Sequence, residues 1–277
     1  MTLNAAFIQV FGEALEPLGF KKIKGRQSYF VRLIGNEIAH IISCRKSKGH
    51  PAVNGVIRPD YGRYEIIGGV ATVYRPKIDL SIAPKDMGWL LSDSEIYTKL
   101  HAFDLDMQYR KEIMYFPYKP DDENQMLESF RHAFDITSRN LLSVINEATN
   151  LNACMDFFYK YNLPLSFIYG GGFNENDSSE GLLQLKIDSF DSCFEREEGY
   201  LKLEIDIDEH WCKKGCGGYT QEGIDLRRRE FEKGVSSRRN QILAWFSDTD
   251  WLNKAHEELE RRKAANTEIL RSYGLEL

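Results

Sequence analysis

The stretch FKKIKGRQSYFVRLIGNEIAHIISCRK, residues 20–46, does most to limit what this chain can become. Two runs rich in branched and aromatic residues, SYFVRLI and EIAHIISCR, flank the pair Gly35-Asn36, which accepts left-handed backbone and so predicts a tight turn. In the second run Ile38, His40, Ile42 and Cys44 fall on one parity, hence on one face of a strand. His40 on that face reads as a core histidine satisfied by its neighbours. A hairpin here commits the N-terminal region to an antiparallel sheet.

The hairpin is preceded by Leu3, Phe7, Val10, Phe11, Ala14, Leu15 and Leu18 at spacings of three and four, which predicts an amphipathic helix stopped by Gly19. It is followed by YEIIGGVATVYRPKIDLSI, a third β candidate in which Gly68-Gly69 suggests a bulge or bend. The two prolines of YFPYKPDD, residues 115–122, and the acids after them mark a break and a helix start. Leu127, Phe130, Phe134, Leu141 and Ile145 then keep one helical face apolar, and the pattern resumes in NACMDFFYKY up to Leu163-Pro164. In LPLSFIYGGGFNENDSSEG we expect a strand and a loop. LLQLKID and GYLKLEIDID alternate apolar with polar residues and predict a second small sheet. Two charged helices, parted near Ser247-Asp248, complete the pattern. The expected class is α+β: an N-terminal helix and antiparallel sheet, a long central helix, a second small sheet and C-terminal helices.

A chain of 277 residues suits two domains, placed at 1–120 (an α+β domain) and 121–277 (a helical domain with a small antiparallel sheet). The net charge of −6 is unevenly spread: residues 1–120 hold 17 Lys+Arg against 12 Asp+Glu, and residues 121–277 hold 19 against 30. The basic first half favours an acidic partner, though +5 is modest for a dedicated nucleic-acid binder. No apolar run approaches the roughly 20 residues of a membrane helix, and Glu13 and Glu16 interrupt the first apolar segment, so neither a span nor a signal peptide is expected. The expected location is the cytoplasm, with the five scattered cysteines reduced.

LEPLGFKKIKGRQSYFVRL, residues 15–33 behind the amphipathic helix, resembles the L-x-x-L-G-F-x-x-x-g-x-x-F/Y opening of an uncharacterised bacterial domain family. The resemblance spans about residues 3–160 and implies a small cytoplasmic α+β protein of no established activity. Some related bacterial proteins resemble immunity or defence components encoded beside toxins. A Gln-Lys-Ser segment expected after the hairpin is only approximated by SCRKSKG, residues 43–49.

Chemistry concentrates in DEHWCKKGCGG, residues 208–218. A structural zinc site needs four soft ligands, and this stretch supplies His210, Cys212 and Cys216, so Cys193 would have to complete the set. The plainer reading is a glycine-rich loop. Just before it, Glu204, Asp206 and Asp208 alternate along the expected strand, sharing one face that ends at His210. Carboxylates so placed can hold magnesium while a base activates water, as in a metal-dependent hydrolase or nuclease; the plainer reading is a solvated strand face. YGGG at 169–172 lacks the lysine of a phosphate loop. Arg227, Arg228, Arg229, Arg238 and Arg239 are interspersed with Glu222, Asp225, Glu230 and Glu232, which fits a solvated helix face with intrahelical pairs. In the N-terminal unit Lys21, Lys22, Lys24, Arg26, Arg45 and Lys46, together with Arg32 and Lys48, accompany Phe20, Tyr29 and Phe30, a combination that can hold single-stranded nucleic acid. No nucleophile elbow is present.

The leading expectation is a non-catalytic binding protein of the immunity or defence type that occludes a protein partner, the acidic second half steering toward a basic toxin. A cofactor is not expected, zinc and magnesium being the alternatives. Nucleic acid is the alternative partner, and a membrane is not expected.

Overall fold

The structure, a computed structural model, describes residues 1–24, 28–53, 55–75, 89–161, 190–216 and 218–275. It is an α+β protein built on one antiparallel sheet. Helix α1 (Leu3–Leu15) starts where the Thr2 hydroxyl accepts the Ala5 N–H, and it runs through one 3₁₀ turn, Glu16–Leu18, to Gly19. Strands β1 (Lys21–Lys24), β2 (Ser28–Ile34) and β3 (Ile38–Ser47) form a meander. The β2–β3 turn holds Gly35 at φ +57° and Asn36 at φ +59°, the two residue types that adopt this backbone at least cost.

After β3 the chain makes a two-stranded hairpin, β4 (Ala52–Val53) and β5 (Val56–Ile57), then returns as the long strand β6 (Gly62–Thr72) beside β3. The outer edge of β6 is shared: β7 (Trp89–Ser92) pairs with Ile67–Val70 and β8 (Phe116–Tyr118) with Gly62–Tyr64. Between β7 and β8 lie helices α2 (Asp93–Leu100) and α3 (Met107–Met114). Ser92 and Glu95 form a reciprocal capping box at the start of α2.

One sheet face carries Phe30, Ile42, Tyr64 and Ile66, and α1, α4 (Glu123–Arg139) and α5 (Leu141–Ile145) cover it. Tyr64 stacks on Phe130 with ring centroids 4.2 Å apart, and Phe7 meets Phe30 edge-on at 5.5 Å. Each ring taken from water contributes about 2–3 kcal/mol. Leu141 comes so close to the sheet that a Cβ on Gly68 would lie 2.9 Å from its Cδ2. The expected bulge at Gly68-Gly69 is therefore corrected: the register runs unbroken from Ile42 to Gly68 to Leu91, and the missing side chain makes room for α5.

On the opposite face Val31, Ala39, Ile41 and Ala71 share one buried cluster with Leu259, Leu270 and Leu275. The first two leucines belong to the last helix, α9 (Thr249–Ser272). Asn266 Nδ2 donates to the carbonyls of Val73 and Arg75, both at 2.7 Å, and Arg262 donates to that of Tyr74. The last helix thus holds the turn that leaves β6. Lys21 Nζ reaches the Gly274 carbonyl at 2.7 Å. α4 also packs on α1 and β8, so residues on both sides of position 120 share one core.

The remaining described helices are α6 (Leu151–Lys160), α7 (Phe190–Lys213) and α8 (Gln221–Phe246); α7 and α8 lie side by side. Here the expected strand GYLKLEIDID is corrected, because residues 199–208 are an internal part of α7. Alternation over the eight residues 201–208 imitates a strand, but Leu, Lys and Glu are strong helix formers. The buried positions Ile205 and Asp208, three apart, face neighbouring helices, while Leu203 is left 39% exposed. The second small sheet is the β4–β5 hairpin of the N-terminal half. LLQLKID and the strand and loop expected at 163–181 lie outside the described residues.

Candidate functional site

Helix geometry rearranges the carboxylates of α7. Glu204 and Asp208, four residues apart, share a face, whereas Asp206 points to solvent. Arg227 of α8 lies 2.7 Å from Asp208 and 3.7 Å from Glu204, and Arg228 lies 2.9 Å from Glu209. Three of the acids therefore fasten α7 to α8. Burial pushes the Asp208 carboxyl up, and the Arg227 guanidinium opposes that shift. Of the arginines expected to pair within their own helix, Arg227 and Arg228 reach across to α7, Arg228 also making one long contact to Asp225 at 4.0 Å, while Arg229 donates to the Asp225 carbonyl in its own helix.

His210 belongs to a different contact. Its Nε2 lies 2.9 Å from the Phe103 carbonyl, and the neighbouring Trp211 Nε1–H donates to the Ala102 carbonyl at 2.8 Å. Both rings pin the end of α7 to the loop after α2. Cys212 sits in the last turn of α7 and Cys216 in the turn toward α8, each half-buried and free. Cys193 is in the same helix, 19 residues before Cys212, and a rise of about 1.5 Å per residue separates them by about 28 Å. Cys193 is thus not brought to the other three residues. Among the described residues no group of three or more His, Cys, Asp or Glu side chains could hold a metal ion.

The basic residues of the N-terminal unit are dispersed. Lys21 and Arg45 lie on one sheet face, Lys22 and Lys46 on the other. By strand spacings, two strands across and five residues along, Lys21 and Lys46 are about 19 Å apart. Lys24 lies at the end of β1, and Arg26 is outside the described residues. Arg45 is engaged by Glu65 at 2.7 Å. Arg32 is drawn inward: it donates to the Leu18 carbonyl and to Asn146 Oδ1, covers the Phe20 ring at 4.6 Å and faces His40 Nδ1. Since arginine only donates, Nδ1 accepts and the Nε2–H of the fully buried His40 donates to the Ala148 carbonyl at 2.8 Å. Burial first, then Arg32, holds this imidazole down at about 4, against the Ala148 hydrogen bond.

A second basic and aromatic grouping gathers where β3 ends and β6 begins. The β4–β5 hairpin rises from this end with Val56 61% and Ile57 69% exposed. Beneath it is a cleft of about 820 Å³, walled by the hairpin, by Arg63 of β6, by Lys111 and Glu112 of α3, by Tyr115 and by His132 of α4. A smaller hollow of about 470 Å³, lined by Lys46, Lys48, His50 and Tyr118 among others, lies at the same end. Arg63 covers the Tyr115 ring at 4.3 Å and donates Nε–H to the Lys48 carbonyl at 2.8 Å. Sequence reading missed Arg63, Lys111 and His132, because they come from three separate elements. The one local signal was RPDYGR, residues 58–63, a basic and aromatic run just before the third expected strand.

No protein-family model, no curated protein and no solved structure matches the chain. No helix among the described residues is long and apolar enough to cross a membrane.

Proposed function

We propose that this chain is a non-catalytic, cytoplasmic binding protein that occludes a protein partner, in the manner of immunity or defence factors. The observation that carries this reading is the β4–β5 hairpin, whose adjacent apolar residues Val56 and Ile57 stand open to water above two concave surfaces. Branched apolar side chains on a protruding hairpin gain most by burial against another protein. Lys46, Lys48 and His50 line the smaller hollow at that end, where Arg58 engages Asp60, so the partner surface it suits is acidic. Composition alone points to a basic partner for the second half; three acids of that half, Glu204, Asp208 and Glu209, are engaged by Arg227 and Arg228. The same engagement of Glu204, Asp208 and Glu209 favours a binding role over a hydrolase built on them. The resemblance of residues 15–33 to a bacterial family with immunity-like relatives points the same way.

The test is co-expression with each protein encoded beside the gene, followed by size-exclusion chromatography. A stable complex is expected with one of them. The Val56→Asp, Ile57→Asp double variant should lose it while keeping its circular dichroism spectrum. Failure of the parent to join any neighbour, or equal binding by the double variant, overturns the reading.

A further inference from the structure

We propose that the cleft beneath the β4–β5 hairpin binds a phosphomonoester carried on a planar ring, the chemistry of a mononucleotide. This goes beyond a protein-docking role: the cleft is one of the two concave surfaces beside the hairpin, and the inference rests on the side chains of its lining rather than on Val56 and Ile57. The volume of about 820 Å³ lies within the range of ~300–1,000 Å³ usual for small-ligand sites. Cationic or protonatable side chains reach its lining from three elements: Arg63 from β6, Lys111 from α3 and His132 from α4. The single carboxylate on the lining, Glu112, already accepts a hydrogen bond from Gln108.

Arg63 is the anchor. Its guanidinium carbon lies 4.3 Å from the Tyr115 ring centroid, its Nε–H is committed to the Lys48 carbonyl, and a Cβ on Gly49 would lie 3.3 Å from Nη2. A guanidinium fixed in this way presents its outer donors as a fork and loses little freedom on meeting an oxyanion. Lys111 adds a mobile point charge from the facing helix, which suits a phosphate dianion better than a single carboxylate. Pro51, Val53 and Pro117 supply an apolar wall beside the Tyr115 ring. Faces of this kind stack on a planar ring, while the cations take the phosphate.

The test is isothermal titration of the full chain with AMP, adenosine, ribose 5-phosphate and inorganic phosphate. AMP should bind, and the other three should each bind at least about tenfold more weakly, a tenfold ratio being about 1.4 kcal/mol. Lys111→Glu changes an exposed side chain, leaves the core intact and should weaken AMP by about tenfold or more. Arg63→Gln should do the same, and added salt should weaken the parent's binding. No AMP binding at millimolar concentration overturns the site, as does undiminished binding by Lys111→Glu. Ribose 5-phosphate binding as tightly as AMP overturns the ring specificity, and adenosine binding as tightly overturns the role given to phosphate.

Discussion

The guanidinium of Arg227 stands 2.7 Å from the Asp208 carboxylate, joining two helices through a residue pair 19 positions apart. Asp208 is 12% exposed at its side chain and Arg227 51%, so water screens only one partner well. Removing the arginine leaves a carboxylate that burial already disfavours. Arg227→Gln should destabilise the protein at neutral pH, and a double-mutant cycle with Asp208→Asn should give a coupling of about 1 kcal/mol by chemical denaturation. The loss should shrink as pH falls and Asp208, whose carboxyl burial pushes up, takes a proton and needs no partner.

Asp93, at the start of α2, is 1% exposed, with Thr137 Oγ1 donating to its Oδ2 at 2.8 Å. Burial pushes this carboxyl up to about 7, against the hydrogen bonds from Thr137 and the Leu141 backbone. Because the folded value exceeds the unfolded one, its contribution is fully present below about pH 4 and is lost as pH rises to about 7. The arithmetic of roughly three pH units at 1.4 kcal/mol each gives about 4 kcal/mol. Asp93→Asn, which keeps an acceptor for Thr137, should flatten that slope in urea titrations across this window.

His40 has the opposite sign. Its folded value of about 4 lies below the ordinary 6.5, so its contribution is present above pH 6.5 and is lost as pH falls through 4. About 3 kcal/mol is at stake. His40→Gln can still accept from Arg32 and donate to the Ala148 carbonyl. Thermal melts from pH 7 to pH 4 should show a shallower acid loss for this variant than for the parent.

Gly68→Ala places a methyl group 2.9 Å from Leu141 Cδ2 and 3.0 Å from Ile42 Cδ1, both in fully buried side chains. Overpacking of this kind costs about 1–3 kcal/mol. The variant should unfold earlier in urea with an unchanged m-value. Pairing it with Leu141→Ala should recover part of the loss, which identifies the contact as the cause.

The elements legible in the sequence were those whose pattern ran long enough to exclude a rival. α1 repeats its apolar spacing over 13 residues, and the β2–β3 hairpin joins alternation to a Gly-Asn turn. α7 failed that condition: a window of eight alternating residues concealed a helix of 24. The capping sequence Ser92-Asp93-Ser94-Glu95 carried a helix-start signal that went unused. The pairing of Arg227 with Asp208 and the convergence of Arg63, Lys111 and His132 left no local trace. They arise when separate elements meet, and one-dimensional spacing does not record that.

The hold of Asn266 on the carbonyls of Val73 and Arg75 sets an order of events for the nascent chain. The sequence separation is 193 and 191 residues, and closing so long a loop costs entropy before the contact returns any. The β2–β3 hairpin can zip from its turn within its own short span, whereas the exit from β6 waits for residue 266 to be synthesised and docked. On the ribosome, the sheet face that includes Val31, Ile41 and Ala71 must therefore pass most of its synthesis time without α9. That apolar surface is where a holding chaperone would find this protein, and where stalled translation would expose it to aggregation.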